Sequence, residues 1–304
     1  NMKDGKTSII EIPYPSISSN QIIIKTKASL ISSGTEKMLV DFGKSSYIGK
    51  AKQQPEKVKM VLEKLKTDGF SSTYESVQSK LNQPLPLGYS NVGEVIEVGS
   101  DVEDFKAGDI VISNGPHAEI CKVSKNLCAK VPAGVDIDSA AFVVLASIAL
   151  QGIRLAMPTI GEKFVVMGAG LIGLLTVQIL VANGCKVLAL DFDSSRLKLA
   201  EEYGAETFLL SEESDSVKAG LLFSNGKGVD GVIITATTQS DDPIKNAANM
   251  SRQRGRIILI GVVGLHIDRS DFYEKELTFQ VSCSYGPGRY DDDYEKLGND
   301  YPFG

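Results

Sequence analysis

The 304-residue sequence lacks the marks of several common protein classes. None of its four cysteines stands in a C-x-x-C pair, which argues against a tetrathiolate zinc site and a disulfide framework and favours reduced thiols. The formal net charge is −6 and no basic stripe is present, so nucleic acid and anionic membranes are poor partner candidates.

Long hydrophobic runs are also absent. The longest, Ala140–Leu150, is far shorter than the ~18–20 apolar residues needed to cross a bilayer, and it predicts a buried helix. No charged and then apolar signal segment opens the chain. These absences predict a cytoplasmic protein. The chain starts at Asn1 and stops at Gly304 in a turn-like stretch, and we expect it to be a piece of a longer polypeptide.

The first third of the chain has the pattern of a β domain that contains a helical insertion. Gln21–Lys27 and Val92–Val98 are β-branched runs of strand length, separated from later runs by glycine-containing turns, which predicts a small barrel or sandwich. In Pro55–Lys66, apolar side chains at helical spacing predict one helix, which Asp68-Gly69 would end. The capping-box pattern Ser72-Thr-Tyr-Glu75 predicts the start of a second.

From residue 150 onward, strands alternate with helices. Short apolar runs predict the strands Phe164–Met167, Lys186–Leu190, Thr207–Leu210, Val229–Thr235, Arg256–Ile260 and Leu277–Val281. Helices are predicted between most of them, including Leu171–Ala182 and Ser194–Tyr203, the second with Asp193 as its N-cap. This alternation implies parallel strands with helices on both faces, as in the doubly wound nucleotide-binding fold.

The sequence Gly168-Ala-Gly-Leu-Ile-Gly173 lies between the first of these strands and its helix. In a dinucleotide fold, Gly168 permits the tight turn, Gly170 lets the backbone approach the pyrophosphate, and Gly173 lets the helix pack close to the strand. The N–H groups of Leu171 and Ile172 begin the helix, where the helix dipole favours phosphate charge. We predict that this loop binds the pyrophosphate of a dinucleotide.

The second strand leads into Asp191, which favours NAD as that dinucleotide. A carboxylate there accepts hydrogen bonds from both ribose hydroxyls of NAD and repels the 2′-phosphate of NADP. Arg196 follows about one helical turn later and either contacts the adenosine ribose or pairs with an acid. Its charge leaves NADP as an alternative, and a glycine-rich turn that binds nothing is another.

Several motifs resemble those of the medium-chain dehydrogenase/reductase family. They are Gly88-Tyr-Ser-Asn-Val-Gly93, Phe105-Lys-Ala-Gly-Asp109, Val131-Pro-Ala-Gly134, the stretch from Gly161 to Gly173, and Gly255-Arg-Ile-Ile-Leu-Ile-Gly261. The resemblance implies an α/β protein. A GroES-like, β-rich catalytic domain would occupy 1–140, with a helical insertion near 49–82, and a Rossmann NAD-binding domain with a doubly wound parallel sheet would occupy 141–283. Residues 284–304 would begin a C-terminal segment, which we expect to be truncated.

Zinc-dependent members of this family carry a cysteine in a C-G-T-D-like segment, a histidine in G-H-E, and a further cysteine or acid. This sequence has Ser33, Tyr89 and Val144 at or near those places, and none of them is a strong zinc ligand. We therefore expect no metal. A narrower resemblance, carried by Ser32-Ser-Gly-Thr-Glu-Lys-Met38 and Ser284-Tyr-Gly-Pro-Gly288, is to the zinc-free N-terminal half of bi-domain oxidoreductases.

The family resemblance implies catalytic roles for Thr35, Tyr89 and Glu36. Thr35 matches the proton-relay hydroxyl of the family, and Glu36 matches the acid beside it. Tyr89 stands where a zinc-binding histidine would be, and a cation such as Lys37 would favour its use as an acid or base. The alternative is that Tyr89 fills the vacated metal site with its hydroxyl bonded to backbone. For His117 we expect a surface imidazole.

On the cofactor side, the resemblance adds Ala236 and Thr237 after the fourth Rossmann strand, and Gly261 and Val262 after the fifth. Both loops follow the carboxyl ends of parallel strands, where open α/β sheets bind ligands. The sixth strand, Leu277–Val281, is an edge candidate, and family members often pair that edge across a dimer. We therefore predict a homodimer.

These observations favour a zinc-independent, NAD-dependent alcohol dehydrogenase-like oxidoreductase. Its partner would be a small-molecule substrate, a sugar-like or other polar secondary alcohol, and a hydride would move between that alcohol and NAD(H). One alternative is an NADPH-dependent quinone or alkene reductase, and another is a non-catalytic NAD-binding module of a larger enzyme. No residue pattern in the sequence identifies the substrate.

Overall fold

The structure is a computed structural model that describes residues 3–53, 55–68 and 77–299. Its internal contacts divide the chain into two compact units, Asn1–Phe142 and Val143–Gly304. The helix start predicted at Ser72 lies outside the described residues. Within the described ranges, no helix combines the length and the apolar character needed to span a bilayer.

The first unit contains a five-stranded antiparallel sheet. Its strands are β1 (Gln21–Ser29), β2 (Asn91–Val98), β3 (Ile110–Ser113), β4 (Ile120–Ser124) and β5 (Cys128–Lys130), in the spatial order β4-β1-β2-β3-β5. Ile22 and Ile24 of β1 pack against Val95 of β2 and Val111 of β3 in the core of this unit. The β-branched runs that predicted the first two strands are therefore strands.

The helices of the first unit begin earlier than the sequence predicted. They are α1 (Thr35–Lys44), α2 (Tyr47–Gln53), α3 (Pro55–Asp68) and α4 (Ile137–Ala140), and residues 77–82 are also helical. The sequence predicted α3 but not α1, because Gly34 at the start of α1 offers no side-chain cap. Lys50 of α2 donates to the carbonyl oxygens of Gly43 and Ser45 at 2.7 and 2.6 Å, so it fastens α2 to the end of α1.

The second unit is built on a six-stranded parallel sheet. Its strands are β6 (Lys163–Met167), β7 (Lys186–Asp191), β8 (Glu206–Leu209), β9 (Val229–Ile234), β10 (Ser251–Leu259) and β11 (Thr278–Val281), in the order β11-β10-β9-β6-β7-β8. The helices are α5 (Val143–Ala156), α6 (Leu171–Ala182), α7 (Ser194–Glu202), α8 (Ser216–Phe223), α9 (Asp242–Met250), α10 (Arg269–Tyr273) and α11 (Asp292–Glu295). All the strands except β10 begin and end within one residue of the prediction.

Both faces of this sheet are buried, as the alternation of strands and helices predicted. Val165 and Met167 of β6 pack into a cluster with residues of α8 and α9. Phe164 and Val166 face the opposite cluster, which contains residues of α5, α6 and α7. Because successive side chains of a strand point to opposite faces, one short apolar run supplies both cores.

Two segments of this unit differ from the prediction. Strand β10 begins at Ser251 rather than Arg256, because Ser251 already pairs with β9 before a shift in register. The run Ala140–Leu150 is not a wholly buried helix: α5 starts at Val143, which is 44% exposed, while Leu145 is buried. An apolar run does not require burial on every face of the helix that it forms.

Charged side chains connect the amino ends of the central strands. The Asp230 carboxylate accepts hydrogen bonds from Lys163 N at 2.8 Å and Arg252 Nε at 2.6 Å. Arg256 pairs with Glu162 at 2.5 Å. Burial acts to raise the pKa of Asp230, but the Lys163 N–H and the Arg252 guanidinium outweigh it, so this pKa lies below its ordinary value. This network lies at the amino ends of the strands, away from the glycine loop at their carboxyl ends, and it stabilises the fold.

Candidate functional site

The glycine loop between β6 and α6 has the geometry that a pyrophosphate site needs. Gly168 has φ +101°, and a Cβ there would lie 2.9 Å from Ala236 N. A Cβ on Gly173 would collide with the carbonyl oxygen of Gly168, so only glycine lets α6 pack this closely. A Cβ on Gly170 would meet nothing within 4 Å, which leaves open space above the loop for a ligand. The phosphate contact itself stays a prediction.

Hydrogen bonds to the neighbouring strands hold the glycine loop in place, and the helix after it begins with free backbone N–H groups. Gly168 donates its N–H to Leu190 O at 2.8 Å, and Thr235 Oγ1 donates to Gly168 O at 2.6 Å. The N–H groups of Leu171 and Ile172 lie in the first turn of α6, where an α-helix offers no backbone acceptor. Such groups suit an anion, because the helix dipole adds positive potential at the same end.

Asp191 ends β7 directly beside this loop. Its side chain is mostly buried, and its Oδ2 accepts the N–H of Ala169 at 2.6 Å, while Oδ1 accepts the N–H of Asp193 at 2.9 Å. Arg196 lies 3.8 Å from Asp191 Oδ2 and 3.5 Å from Asp193 Oδ2. The sequence left Arg196 either to contact the adenosine ribose or to pair with an acid, and in the structure it pairs with acids. Each carboxylate oxygen of Asp191 keeps a lone pair for a further donor.

Two more predicted loops meet the glycine loop at the carboxyl ends of β9 and β10. Val262 N donates to Ala236 O at 3.1 Å, and Thr237 and Val262 form a parallel bridge. A Cβ on Gly261 would collide with the carbonyl oxygen of Ala236, so glycine is needed for the loops to approach. Gly168 touches Ala236 from the other side. The predicted cofactor residues of the second unit thus lie together at the carboxyl ends of the parallel strands.

A separate cluster of hydroxyl groups lies in the first unit, at the start of α1. Tyr89 donates its hydroxyl to Ser32 Oγ at 2.8 Å and lies 3.4 Å from Thr35 Oγ1. Glu36 is buried and accepts the N–H of Ser32 at 2.8 Å. The structure therefore brings Thr35, Tyr89 and Glu36 together. The expectation that a packed Tyr89 would bond to backbone is wrong, since its partner is a side-chain hydroxyl. Lys37 is an exposed residue of α1.

His117 also belongs to this cluster, and the prediction made for it from the sequence was wrong. Its side chain is only 25% exposed, which contradicts the expected surface imidazole. Nε2 lies 3.0 Å from Glu36 Oε2, and Nδ1 lies 2.8 Å from Ser29 Oγ. The ring packs on Gly88, where a Cβ would come within 2.7 Å of it. The position of His117 beside Glu36 depends on contacts between distant parts of the chain, and no local signal could have indicated it.

Comparison with known proteins matches both units. The models described as "Alcohol dehydrogenase GroES-like domain" and "Zinc-binding dehydrogenase" match residues 64–149 and 172–299, together more than two thirds of the chain. The uncharacterised zinc-type alcohol dehydrogenase-like protein YdjJ of Escherichia coli (strain K12) is 29% identical over 215 residues, which are 60% of this chain and 61% of that protein. The (R,R)-butanediol dehydrogenase of Bacillus subtilis (strain 168) is 26% identical over 232 residues, which are 66% of each.

Both units are thus similar to proteins of the medium-chain, zinc-type alcohol dehydrogenase-like family. The match of this chain spans less than two thirds of the length of either relative. A solved structure described as a zinc-binding dehydrogenase of Sinorhizobium meliloti 1021 bound to NADP has a TM-score of 0.74 at 21% identity, covering 98% of this chain and 87% of that chain. The predicted α/β fold, with a GroES-like domain and a Rossmann-like parallel sheet, is confirmed.

The fold that this chain shares with these proteins does not select one reaction. Solved structures with the same fold include polyol dehydrogenases as well as quinone and enoyl reductases. The residues at the site must therefore carry the functional argument.

The donor set near Tyr89 does not fit the catalytic zinc that the family name implies. Ser33, Tyr89 and Val144 stand at or near the ligand positions of the zinc-dependent members, and catalytic zinc needs three strong ligands such as His, Cys or carboxylate. Glu36 and His117 are the nearby groups with suitable atoms, and they bond each other. Among the residues that the structure describes, no three His, Cys, Asp or Glu side chains are grouped to hold a metal ion.

Proposed function

We propose that this chain binds NAD(H), and that the protein containing it transfers a hydride between the nicotinamide and a polar, sugar-like secondary alcohol without catalytic zinc. The observation that carries the proposal is the juxtaposition of Asp191 with the glycine loop. Asp191 Oδ2 accepts the Ala169 N–H at 2.6 Å, so the carboxylate lies beside the turn that would hold the pyrophosphate. A dinucleotide spans these two features.

The preference for NAD over NADP follows from charge. The Asp191 carboxylate offers its remaining lone pairs to the two ribose hydroxyls and repels a 2′-phosphate. Arg196 could bind such a phosphate, but two acids lie within 4 Å of its guanidinium. The positive charge of Arg196 is therefore largely compensated, and the local charge balance still favours a diol over a phosphate.

The chemistry on the alcohol needs a hydride acceptor and a proton acceptor. The nicotinamide, when bound, accepts the hydride. Tyr89 and Thr35 present hydroxyl groups within 3.4 Å of each other, which suits the orientation of a hydroxylated substrate by hydrogen bonds. Glu36 holds the turn that carries them, through the N–H of Ser32. Because the donor set does not fit zinc, we expect side chains of this chain to take up the proton.

The polar, sugar-like substrate class rests on this cluster of hydroxyl groups and on the relatives. The B. subtilis relative is named for butanediol, a small polar secondary alcohol. Hydroxyl groups that are already paired, as in Tyr89 and Ser32, can each accept or donate one further bond to a polyol.

Two experiments test the proposal. Calorimetry measures the binding of NADH and NADPH. An absorbance screen then follows the formation of NADH from NAD⁺ with (R,R)-2,3-butanediol, sorbitol or galactitol 1-phosphate as the alcohol. We expect NADH to bind at least about tenfold more tightly than NADPH, a difference of about 1.4 kcal/mol, and one class of polyol to be oxidised. Preference for NADPH would favour the quinone or alkene reductase instead. Tight NAD binding with no oxidation of any alcohol would favour a non-catalytic module.

We also propose that the protein forms a homodimer through the edge of its parallel sheet. Strand β11 is the edge strand beside β10, and Val281 on it is 54% exposed. An exposed edge presents unpaired backbone groups that can pair with a second copy. Light scattering should give twice the mass of one chain, and a monomer at high concentration would refute the proposal.

A further inference from the structure

We propose that Ser29, His117 and Glu36 form a proton relay that takes up the hydroxyl proton of the alcohol. The proposal rests on the proposed function and assigns it a base that is absent from the family motifs. The three side chains form a continuous chain of hydrogen bonds, 2.8 Å from Ser29 Oγ to His117 Nδ1 and 3.0 Å from His117 Nε2 to Glu36 Oε2.

The chemistry of the end group fixes the direction of the relay. An ionised carboxylate only accepts hydrogen bonds, so His117 Nε2 must carry the proton that faces Glu36. In the neutral ring, Nδ1 is then unprotonated and accepts the hydroxyl proton of Ser29. The imidazole is therefore a base at the nitrogen that faces Ser29, with a carboxylate behind it that stabilises the imidazolium. This is the division of roles found in hydroxyl–imidazole–carboxylate triads.

The loop that carries His117 is held rigidly against its partners. The backbone N–H of His117 donates to Leu87 O at 2.7 Å, and its ring lies against Gly88, whose φ is +88°. On the other side, Thr26 Oγ1 donates to Ala118 O at 2.6 Å.

Thr26 itself accepts the amide of Asn91, which is fully buried, at 2.8 Å. A buried polar network that fixes one loop is the kind of support that a positioned base needs.

The proton step balances without a metal. When the alcohol is oxidised, its C–H bond breaks and the hydrogen leaves as a hydride with both bonding electrons, for which the nicotinamide would be the acceptor. The alcohol O–H bond breaks as well, and its proton passes to Ser29 Oγ. The original proton of Ser29 passes at the same time to His117 Nδ1, and the carbonyl product forms. His117 is 25% exposed, so the imidazolium can then release the proton to water. Ser29 is the group that touches the substrate, while His117 and Glu36 act through it.

The tautomer of His117 can be measured without any substrate. The chain has two histidines, so nitrogen-15 NMR of histidine-labelled protein gives two ring systems, and His117→Gln assigns them. At about pH 8, we expect the ring proton of His117 on Nε2, the nitrogen that faces Glu36. A proton on Nδ1 at that pH would overturn the relay, because Ser29 would then have no acceptor.

Kinetics with the alcohol that is turned over fastest in the screen tests the relay in action. His117→Ala should lower kcat by roughly 100-fold, with NADH affinity unchanged, and added imidazole should restore much of the loss. Ser29→Ala should behave in the same way, while Ser29→Thr, which keeps the hydroxyl, should retain activity. If imidazole does not restore the kcat of His117→Ala, and Ser29→Thr is as inactive as Ser29→Ala, the two residues have a structural role and the proposal is overturned.

His266→Ala is the matched control. His266 also pairs with a carboxylate, Asp241, at 2.9 Å, but its side chain is 94% exposed. We expect its kcat and its solvent isotope effect to equal those of the wild type. If the wild-type protein oxidises no alcohol, the proposed function has failed. If it does so and His117→Ala is equally active, only the relay has failed.

Discussion

Replacing Asp191 with asparagine tests the cofactor site at the residue on which its specificity depends. Each carboxylate oxygen of Asp191 already accepts one backbone N–H, from Ala169 and from Asp193. The remaining lone pairs are those proposed to hold the ribose diol. Asparagine keeps one acceptor oxygen and sets an NH₂ group against one of the two backbone donors, so it must lose a ribose contact and weaken the turn.

The size of the effect follows from the charge that is removed. A hydrogen bond to a charged group contributes about 1.5–3 kcal/mol, so the loss of one ribose contact should weaken NADH binding by roughly 10- to 150-fold. NADPH should lose less, since the repulsion between the carboxylate and its 2′-phosphate disappears as well. The preference for NADH over NADPH should therefore narrow.

Calorimetry with both reduced cofactors measures this change, and thermal unfolding checks that the variant is folded. Asp193→Asn is the matched control, since it removes a carboxylate that also faces Arg196, but whose side chain is 46% exposed. We expect the control to bind NADH within about threefold of the wild type. An Asp191→Asn protein that binds NADH as tightly as the wild type would refute the placement of the ribose at this carboxylate.

Three further substitutions test other parts of the molecule. Asp230→Asn should lower the melting temperature most near neutral pH, because the ionised carboxylate, whose pKa is lowered in the folded protein, stabilises the fold there. The difference from the wild type should shrink below about pH 4, where the carboxylate is protonated. An equal difference at all pH values would contradict this. Gly173→Ala drives a methyl group into the carbonyl of Gly168 and should reduce NADH binding in calorimetry at least about tenfold, so unchanged binding would show that the loop is dispensable. Tyr89→Phe should raise KM for the alcohol severalfold with a smaller change in kcat, and a fall in kcat alone would instead assign Tyr89 to proton transfer.

The second unit was predicted closely because its signals are local. A parallel strand buried on both faces is an unbroken apolar run. Some of the helices that follow also begin with a side-chain cap, as where Asp193 accepts the N–H of Ser195 at 2.9 Å. Strand β10 was the exception. Its first residues, Ser251 to Gly255, are polar or small, and they join the strand only because β9 lies beside them.

The cofactor half of the candidate site was predicted for the same reason, since its glycines and Asp191 follow strands at fixed spacing. The proton-transfer half was not. His117 lies 81 residues from Glu36 and 88 from Ser29 along the chain, and only the tertiary fold of the first unit brings them together. A contact of this kind leaves no periodic or motif signal in a single sequence, so His117 was predicted to be an ordinary surface residue.

The hydrogen bonds around Tyr89 decide which group in the first unit can act as the base. In zinc-dependent relatives of this fold, a metal at this place would stabilise the alkoxide. Here Tyr89 donates its hydroxyl proton to Ser32 Oγ, so the phenol acts as a donor in this cluster. Glu36 is buried and already accepts bonds from Ser32 N and His117. Within this cluster of described residues, the imidazole nitrogen that faces Ser29 is therefore the remaining atom with a lone pair placed to receive a proton.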